Sequence, residues 1–267
     1  MIHKDLIVER EGNLQILKLN RPKVLNALRE RTLVELESVL DKIARDAQTR
    51  VLIITGAGER AFSAGGDIKE MIHMSYEEAT AFASHAHRIL VKMEKLPKPI
   101  LAAVNGLALG AGCDLAIACD LGVASEKAIF GEPPPSVGVV TPFGGTQRLP
   151  RIIGPKRAKC LFFTGQILDA KTALQMGLVN KVVDHKHLLA ETKDLASRIL
   201  SRASTAIGFS KILINSSMRH SLEEGDKLEI ELYAKCFDTY DQKEGMKAFI
   251  EKRKPAFKGE YDSTIEV

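Results

Sequence analysis

Apolar and polar positions alternate along NLQILKLN (Asn13–Asn20), which predicts a strand with one face on a core. RPKVLNAL ends it, and Leu33, Leu36, Val39, Leu40 and Ile43 then recur at helical spacing. RVLIITGAG predicts a short buried strand closed by turn glycines, and PKPILAAVNG a second one closed by Asn-Gly. SYEEATAFASHAHRILVKMEKL predicts a long helix, with Ser75 and Glu78 spaced as a capping box. GGDIKEM and GAGCDLAIACD each open on glycines and continue as helices, and LGVAS and AIFGE predict short strands. Such alternation of strand and helix is the pattern of an α/β fold. From TALQMGLVNKVV onward the pattern is mostly helical: HLLAETKDLASRILSR and SLEEGDKLEIELYAKCF are amphipathic, and KEGMKAFIEKRKPAFKGEY is basic with aromatics. We therefore expect a core over 1–199 and a helical C-terminal region over 200–267. Its apolar stripes fit either subunit packing or packing on its own core.

Composition narrows the function classes. A chain of 267 residues suits one large domain or a domain with an appendage. Hydrophobic residues at 45% and charged residues at 27% are ordinary for a soluble protein. The net charge of +4 comes with no basic cluster outside the tail, which argues against nucleic acid as a partner. The four cysteines form no C-x-x-C pair, so buried reduced thiols in a cytoplasmic protein are expected. MIHKDLIVER is charged and has no secretory pattern, and no apolar run approaches the roughly 20 residues that span a bilayer. No metal-ligand cluster stands out.

Two glycine-rich segments carry the candidate chemistry, FSAGGDIKEM (Phe62–Met71) and NGLALGAGCDLA (Asn105–Ala116). Each joins a strand to a helix start, where free N–H groups can hold an oxyanion and glycine lets a ligand approach the backbone. A dinucleotide fingerprint is excluded by spacing, because GLALGAG reads G-x-x-x-G-x-G. With LNRPKVLNAL, KPILAAVNGLALGAGCDLAIACD, FGEPPPSVGVVTPFGGTQRLPRIIG, FFTGQILDAKTALQMGLVNKVV and EGMKAFIEKRKPAFK, these segments run in family order along nearly the whole chain. The sequence resembles the crotonase superfamily, the enoyl-CoA hydratase and isomerase group.

That resemblance implies a spiral of repeated ββα units with a helical C-terminal region that forms homotrimers or homohexamers. It implies an acyl-CoA thioester as substrate, with no separate cofactor and no metal. By position it implies that the N–H groups of Gly66 and Ala111 form an oxyanion hole, which acts through dipoles fixed where negative charge develops. It likewise implies CoA contacts at Lys23, Val24, Leu25, Ala64, Asp67 and Ile68, and at Phe249 and Lys252 from the C-terminal region.

The sequence also departs from the family. Hydratases of the group use two glutamates to activate water and handle the α-proton. At the first position this chain has Asp114, one methylene shorter, and at the second, in FGEPPPSVG, it has Pro134, which cannot transfer a proton. Pro134 is then expected to line the acyl pocket. Glu132 is the nearest replacement carboxylate, on the same face as residue 134 if the segment is a strand. Three readings stay open: Asp114 works with another group to hydrate an unusual substrate, such as a cyclic dienoyl-CoA; Asp114 acts alone in an isomerase or decarboxylase; or the protein binds acyl-CoA without turnover. Asp114 beside Leu109 and Leu115 is expected to have a raised pKa if desolvated. His85 and His87 are expected on a polar helix face, and Asp120 at a turn.

Overall fold

Two sheets built by one repeating path organise the computed structural model, which describes residues 3–259. An antiparallel hairpin of β1 (Leu6–Glu11) and β2 (Leu14–Leu19) starts the chain, followed by α1 (Glu30–Arg45). Three similar turns follow. In the first, β3 (Val51–Gly56) and β4 (Ala61–Ser63) precede α2 (Ile68–Met71) and α3 (Tyr76–Lys95). In the second, β5 (Ile100–Val104) and β6 (Leu107–Leu109) precede α4 (Ala111–Ile117). In the third, β7 (Leu121–Ser125) and β8 (Ile129–Gly131) precede α5 (Gly145–Ile153) and α6 (Pro155–Thr164). The first strand of each turn enters a six-stranded sheet and the second a four-stranded one. This is the spiral of repeated ββα units that the resemblance implies.

After the spiral come β9 (Ile167–Asp169), α7 (Ala170–Met176), β10 (Lys181–Val183) and the helices α8 (Leu188–Leu200), α9 (Ser204–Ser216), α10 (Leu222–Cys236) and α11 (Tyr240–Ile250). The larger sheet has the order β1-β2-β3-β5-β7-β10 and is parallel from β2 on. The smaller has the order β4-β6-β8-β9, antiparallel only at β9.

Strand period explains why the central strands read as continuous apolar runs. In β3, Leu52 and Ile54 face the main core shared with α1, α3 and α4, while Val51 and Ile53 face a second core under α8. Asparagine and glycine stack the spiral turns. Asn105 donates to the Gly58 carbonyl at 2.8 Å and accepts from Gly56 N at 3.1 Å. Asn26 reaches the Ala61 carbonyl at 2.8 Å from the preceding turn. A Cβ at Gly106 would collide with the Arg60 carbonyl, so only glycine lets the turns nest.

The expected helices are present, and Ser75 and Glu78 do form a reciprocal cap, with Ser75 Oγ accepting from Glu78 N at 3.2 Å and Glu78 accepting from Ser75 N at 2.8 Å. Two strands lack the expected signal. β1 reads LIVERE with only Leu6 buried, and it is an edge strand held by pairing with β2 rather than by an apolar face. β10 lies in the region expected to be helical, added to the sheet edge beside β7. All four cysteines are unpaired, but only Cys113 and Cys119 are buried; Cys160 is exposed and Cys236 half-buried. α9 is tied to the spiral by Lys211, whose buried ammonium donates to Asp120 at 2.8 Å and to the carbonyls of Met93 at 2.8 Å and Lys98 at 3.1 Å. Asp120 also receives Ile100 N at 2.7 Å, so it fixes the start of β5 as well as a turn.

Candidate active site

The two glycine-rich segments meet. A side chain on Gly65 would approach the Leu109 carbonyl at 2.7 Å and the Ala111 nitrogen at 3.6 Å. Leu28 N donates to the Gly65 carbonyl at 2.7 Å and Asp67 N donates to the Leu28 carbonyl at 2.8 Å, which leaves the Gly66 N–H directed away from that bridge. Ala111 opens α4 after Gly110, whose φ of +50° turns the chain. Among the described residues, neither the Gly66 nor the Ala111 N–H has a backbone or side-chain acceptor. A Cβ at Gly66 would lie 2.5 Å from Met71 Sδ, so the methionine side chain lies directly over this residue. Met71, on α2, is thus a neighbour of the pair that sequence reasoning missed.

Asp114 projects from the first turn of α4 and is fully buried. Its Oδ2 accepts a very short hydrogen bond from Thr141 Oγ1, while Oδ1 has no regular hydrogen-bond partner. Glu132 is also fully buried, and neither of its oxygens has a regular partner. Burial, and then the charge of Asp114, pushes the Glu132 carboxyl far above the usual range. Burial also raises Asp114, but the Thr141 hydroxyl, then the Glu132 carboxyl, the Gly145 amide and Arg148 oppose it and hold it at about 6. Two neighbouring carboxyls in one dry site do not both ionise near neutrality. The pair therefore keeps a proton, and the hydroxyl that donates to Asp114 favours Glu132 as its holder.

The expected strand at 132–134 does not form. Pro133 has φ −80° and ψ 2°, and Pro134–Val137 make a 3-10 turn. Glu132 is turned into the core, and half-buried Pro134 is set against the Gly110 turn, its Cγ 3.1 Å from where a Cβ would stand. Gly110 N donates to the Gly131 carbonyl at 2.9 Å and locks the two segments together.

The first group of expected CoA contacts is brought to one place. Lys23 and Val24 lie on the exposed 3-10 turn Pro22–Val24, and Leu25 follows with φ +53°. Ala64 N donates to the Leu25 carbonyl at 2.9 Å, which joins this turn to the segment holding Asp67 and exposed Ile68. The Asp67 carboxylate is already engaged, pairing with Arg21 at 2.8 Å and capping α2. Phe249 and Lys252 are exposed at the end of α11 and just beyond it, and no described hydrogen bond or ion pair joins them to this group.

His85 departs from the expected polar face. It is buried between α1 and α3, with Nδ1 at 2.7 Å from Glu30 and Nε2 at 3.1 Å from Glu37. His87 is exposed, as expected. A cavity of about 530 Å³ near His85 is lined by residues including Glu30, Glu70, Met74, Phe82 and Arg88, and none of Gly66, Ala111, Asp114 or Glu132 lines it. It is therefore apart from the chemistry. Among the described residues no group of His, Cys, Asp or Glu is placed to hold a metal ion, and no helix is long and apolar enough to cross a membrane.

Known proteins share this fold and much of this sequence. A family model described as enoyl-CoA hydratase/isomerase matches residues 9–260. A crotonyl-CoA hydratase of Syntrophomonas wolfei is 43% identical over 96% of this chain and 99% of its own length. A short-chain-enoyl-CoA hydratase of Clostridium acetobutylicum is 44% identical over 94% of this chain and 96% of its own. The crystal structure of an enoyl-CoA hydratase from Bacillus anthracis superposes with a TM-score of 0.92 at 38% identity, covering 96% of this chain and 100% of that one. With the same path of two sheets, near-complete coverage and identities of this size, the chain belongs to the enoyl-CoA hydratase/isomerase family.

Proposed function

We propose that this enzyme is a hydratase-type lyase that adds water across the α,β double bond of an enoyl-CoA. The observation that carries the reading is a pair of fully buried carboxyls, Asp114 on the helix whose first residue presents the unengaged Ala111 amide and Glu132 just beyond β8, with the other unengaged amide, Gly66, in the glycine segment that meets that helix. The Gly66 and Ala111 N–H groups receive the thioester oxygen as it gains negative charge. Ionised Asp114 takes a proton from water as its oxygen bonds to the β-carbon. The carboxyl pair returns a proton to the α-carbon, and the protonation state is restored with no net change. Lys23, Val24, Leu25, Ala64, Asp67 and Ile68 hold the CoA, with Asp67 shaping the segment through its ion pair with Arg21 and its cap on α2. The reaction needs no cofactor beyond the CoA of the substrate. Unpaired cysteines support a cytoplasmic location.

Pro134 supports a substrate outside the linear short-chain class, such as a cyclic dienoyl-CoA, because a rigid apolar ring lies against the Gly110 turn where hydratases of the family are expected to have a carboxylate. A panel of linear and cyclic enoyl-CoAs followed by mass spectrometry tests both statements. Water addition (a gain of about 18 Da) to a cyclic member ahead of crotonyl-CoA is expected. Products of unchanged mass would replace hydration by isomerisation, and binding without a product would remove the catalytic reading.

We also propose a homotrimer or homohexamer. Its support is the row of exposed apolar side chains on the last two helices, among them Ile230, Tyr233, Met246 and Phe249. Sedimentation velocity is expected to show three or six copies, and a monomer at micromolar concentration would overturn it.

A further inference from the structure

We propose that Thr141 is a positioning residue that makes Asp114 the base and Glu132 the acid of the pair; the inference rests on the hydratase reading above for its kinetic part only. A carboxyl pair in one dry site needs an asymmetry to decide which member keeps the proton. The geometry places that asymmetry on one side. Thr141 is buried and its hydroxyl donates to Asp114 Oδ2, while the same oxygen accepts a long hydrogen bond from Phe143 N at 3.5 Å. With its acceptor side turned to Phe143, the hydroxyl hydrogen is directed at the aspartate. Gly145 completes the grip. Its backbone is so close that a Cβ there would collide with Asp114 Oδ1 and its carboxyl carbon. Glu132 has no comparable donor of regular geometry.

The grip also fits the shorter arm of an aspartate. Asp114 cannot reach as far from α4 as a glutamate, and a hydroxyl from the loop before α5 meets it and fixes its rotamer. No local pattern in TPFGG signals this, because the contact spans 27 residues of sequence.

The electrostatic surroundings are otherwise few. Glu132 faces Asp114 from the end of β8, Cys113 adjoins Glu132 on α4, and Arg148 acts from α5 while paired to Glu94 of α3 at 2.5 Å. Strands β4, β5, β6 and β7, which also pack on α4, carry no titratable side chain. A hydroxyl that donates to the ionised form favours it, so its loss must raise the Asp114 titration and draw the shared proton from Glu132.

Two measurements test this. Carbon-13 NMR of protein labelled at aspartate carboxyls, with the Asp114 resonance assigned by its absence in Asp114→Asn, reads the titration without any substrate. Thr141→Val is expected to move it up by about one to two pH units, the scale of one hydrogen bond to a charged group. Thr141→Ser is expected to restore it. In the kinetic arm, the acid limb of kcat/KM moves up by the same amount in Thr141→Val, with a loss of roughly 10- to 100-fold near neutrality, and Thr141→Ser recovers the wild-type profile. Thr141→Ala gives the same reading if the valine variant does not fold. An unmoved Asp114 resonance in the folded valine or alanine variant, or a serine variant that behaves like valine, overturns the proposal. A shifted resonance in a protein that hydrates no enoyl-CoA leaves the Thr141 assignment standing and removes the hydratase reading instead.

Discussion

Asp114→Asn is expected to lower kcat/KM for enoyl-CoA hydration by about a thousandfold, within the range for loss of a general base, while the protein folds and becomes more heat-stable above pH 6. The first half follows from position. Asp114 is the side chain on α4 that combines full burial, an oxygen without a regular hydrogen bond and a neighbour able to trade a proton. Asparagine keeps the shape and the contact with Thr141 but cannot accept a proton from water. The second half follows from linkage. The folded-state pKa of Asp114 lies near 6, above its unfolded value of about 3.9, so the folded protein binds this proton more tightly. Stability from that group is fully present below the unfolded pKa and is lost as pH rises through the folded one. Asparagine has no charge to desolvate, and it also removes the charge that raises Glu132. The melting temperature of Asp114→Asn is therefore expected to match wild type near pH 4 and exceed it at pH 8. Circular dichroism melts at the two pH values, beside initial rates, check both halves. A variant that retains a tenth of wild-type activity would show that the base is elsewhere, with Glu132→Gln the next variant to assay.

Legibility in the sequence followed the range of the forces involved. The β3 and β5 runs and the Ser75 cap were readable because strand period and helix capping act over a few residues. The two glycine segments were readable as helix starts, and family order linked them across the chain. Glu132 was readable only as a candidate. Strand period puts residues 132 and 134 on one face only in a strand, and the 3-10 turn Pro134–Val137, capped by Pro133, separates Glu132 from Pro134. His85 was misplaced too. Positions two apart on a helix lie on opposite faces, so with His87 exposed His85 falls on the face toward α1, where Glu30 and Glu37 bond it and let it be buried. Thr141 left no trace because a single long-range hydrogen bond has no period. β1 was hidden because an edge strand needs only a partner.

Gly112→Ala is expected to damage stability and activity together, against the usual preference of helices for alanine. Alanine is better than glycine in a helix interior by at most about 1 kcal/mol. At Gly112, however, a Cβ would lie 2.8 Å from the carbonyl carbon and Cβ of Ser63, with the Ser63 oxygen nearer still. Ser63 belongs to β4, which is paired to β6, so its backbone has little room to retreat. Overpacking of this kind costs about 1–3 kcal/mol or more. The upper end of that range wins by about 2 kcal/mol, which for a chain of this size is a fall in melting temperature of roughly 4–8 °C. Relief must come from α4 shifting away from β4, and that helix carries the Ala111 N–H and Asp114. A displacement of about 1 Å at such groups can cost on the order of a hundredfold in rate. Gly225→Ala in α10 is the control, because nothing lies within 4 Å of a Cβ there. It is expected to melt slightly above wild type with unchanged kcat/KM. Thermal melts and initial rates of the two variants, measured side by side, separate propensity from packing, and a Gly112→Ala protein as stable and active as wild type would mean that β4 and α4 are not in the close contact on which the proposed oxyanion geometry depends.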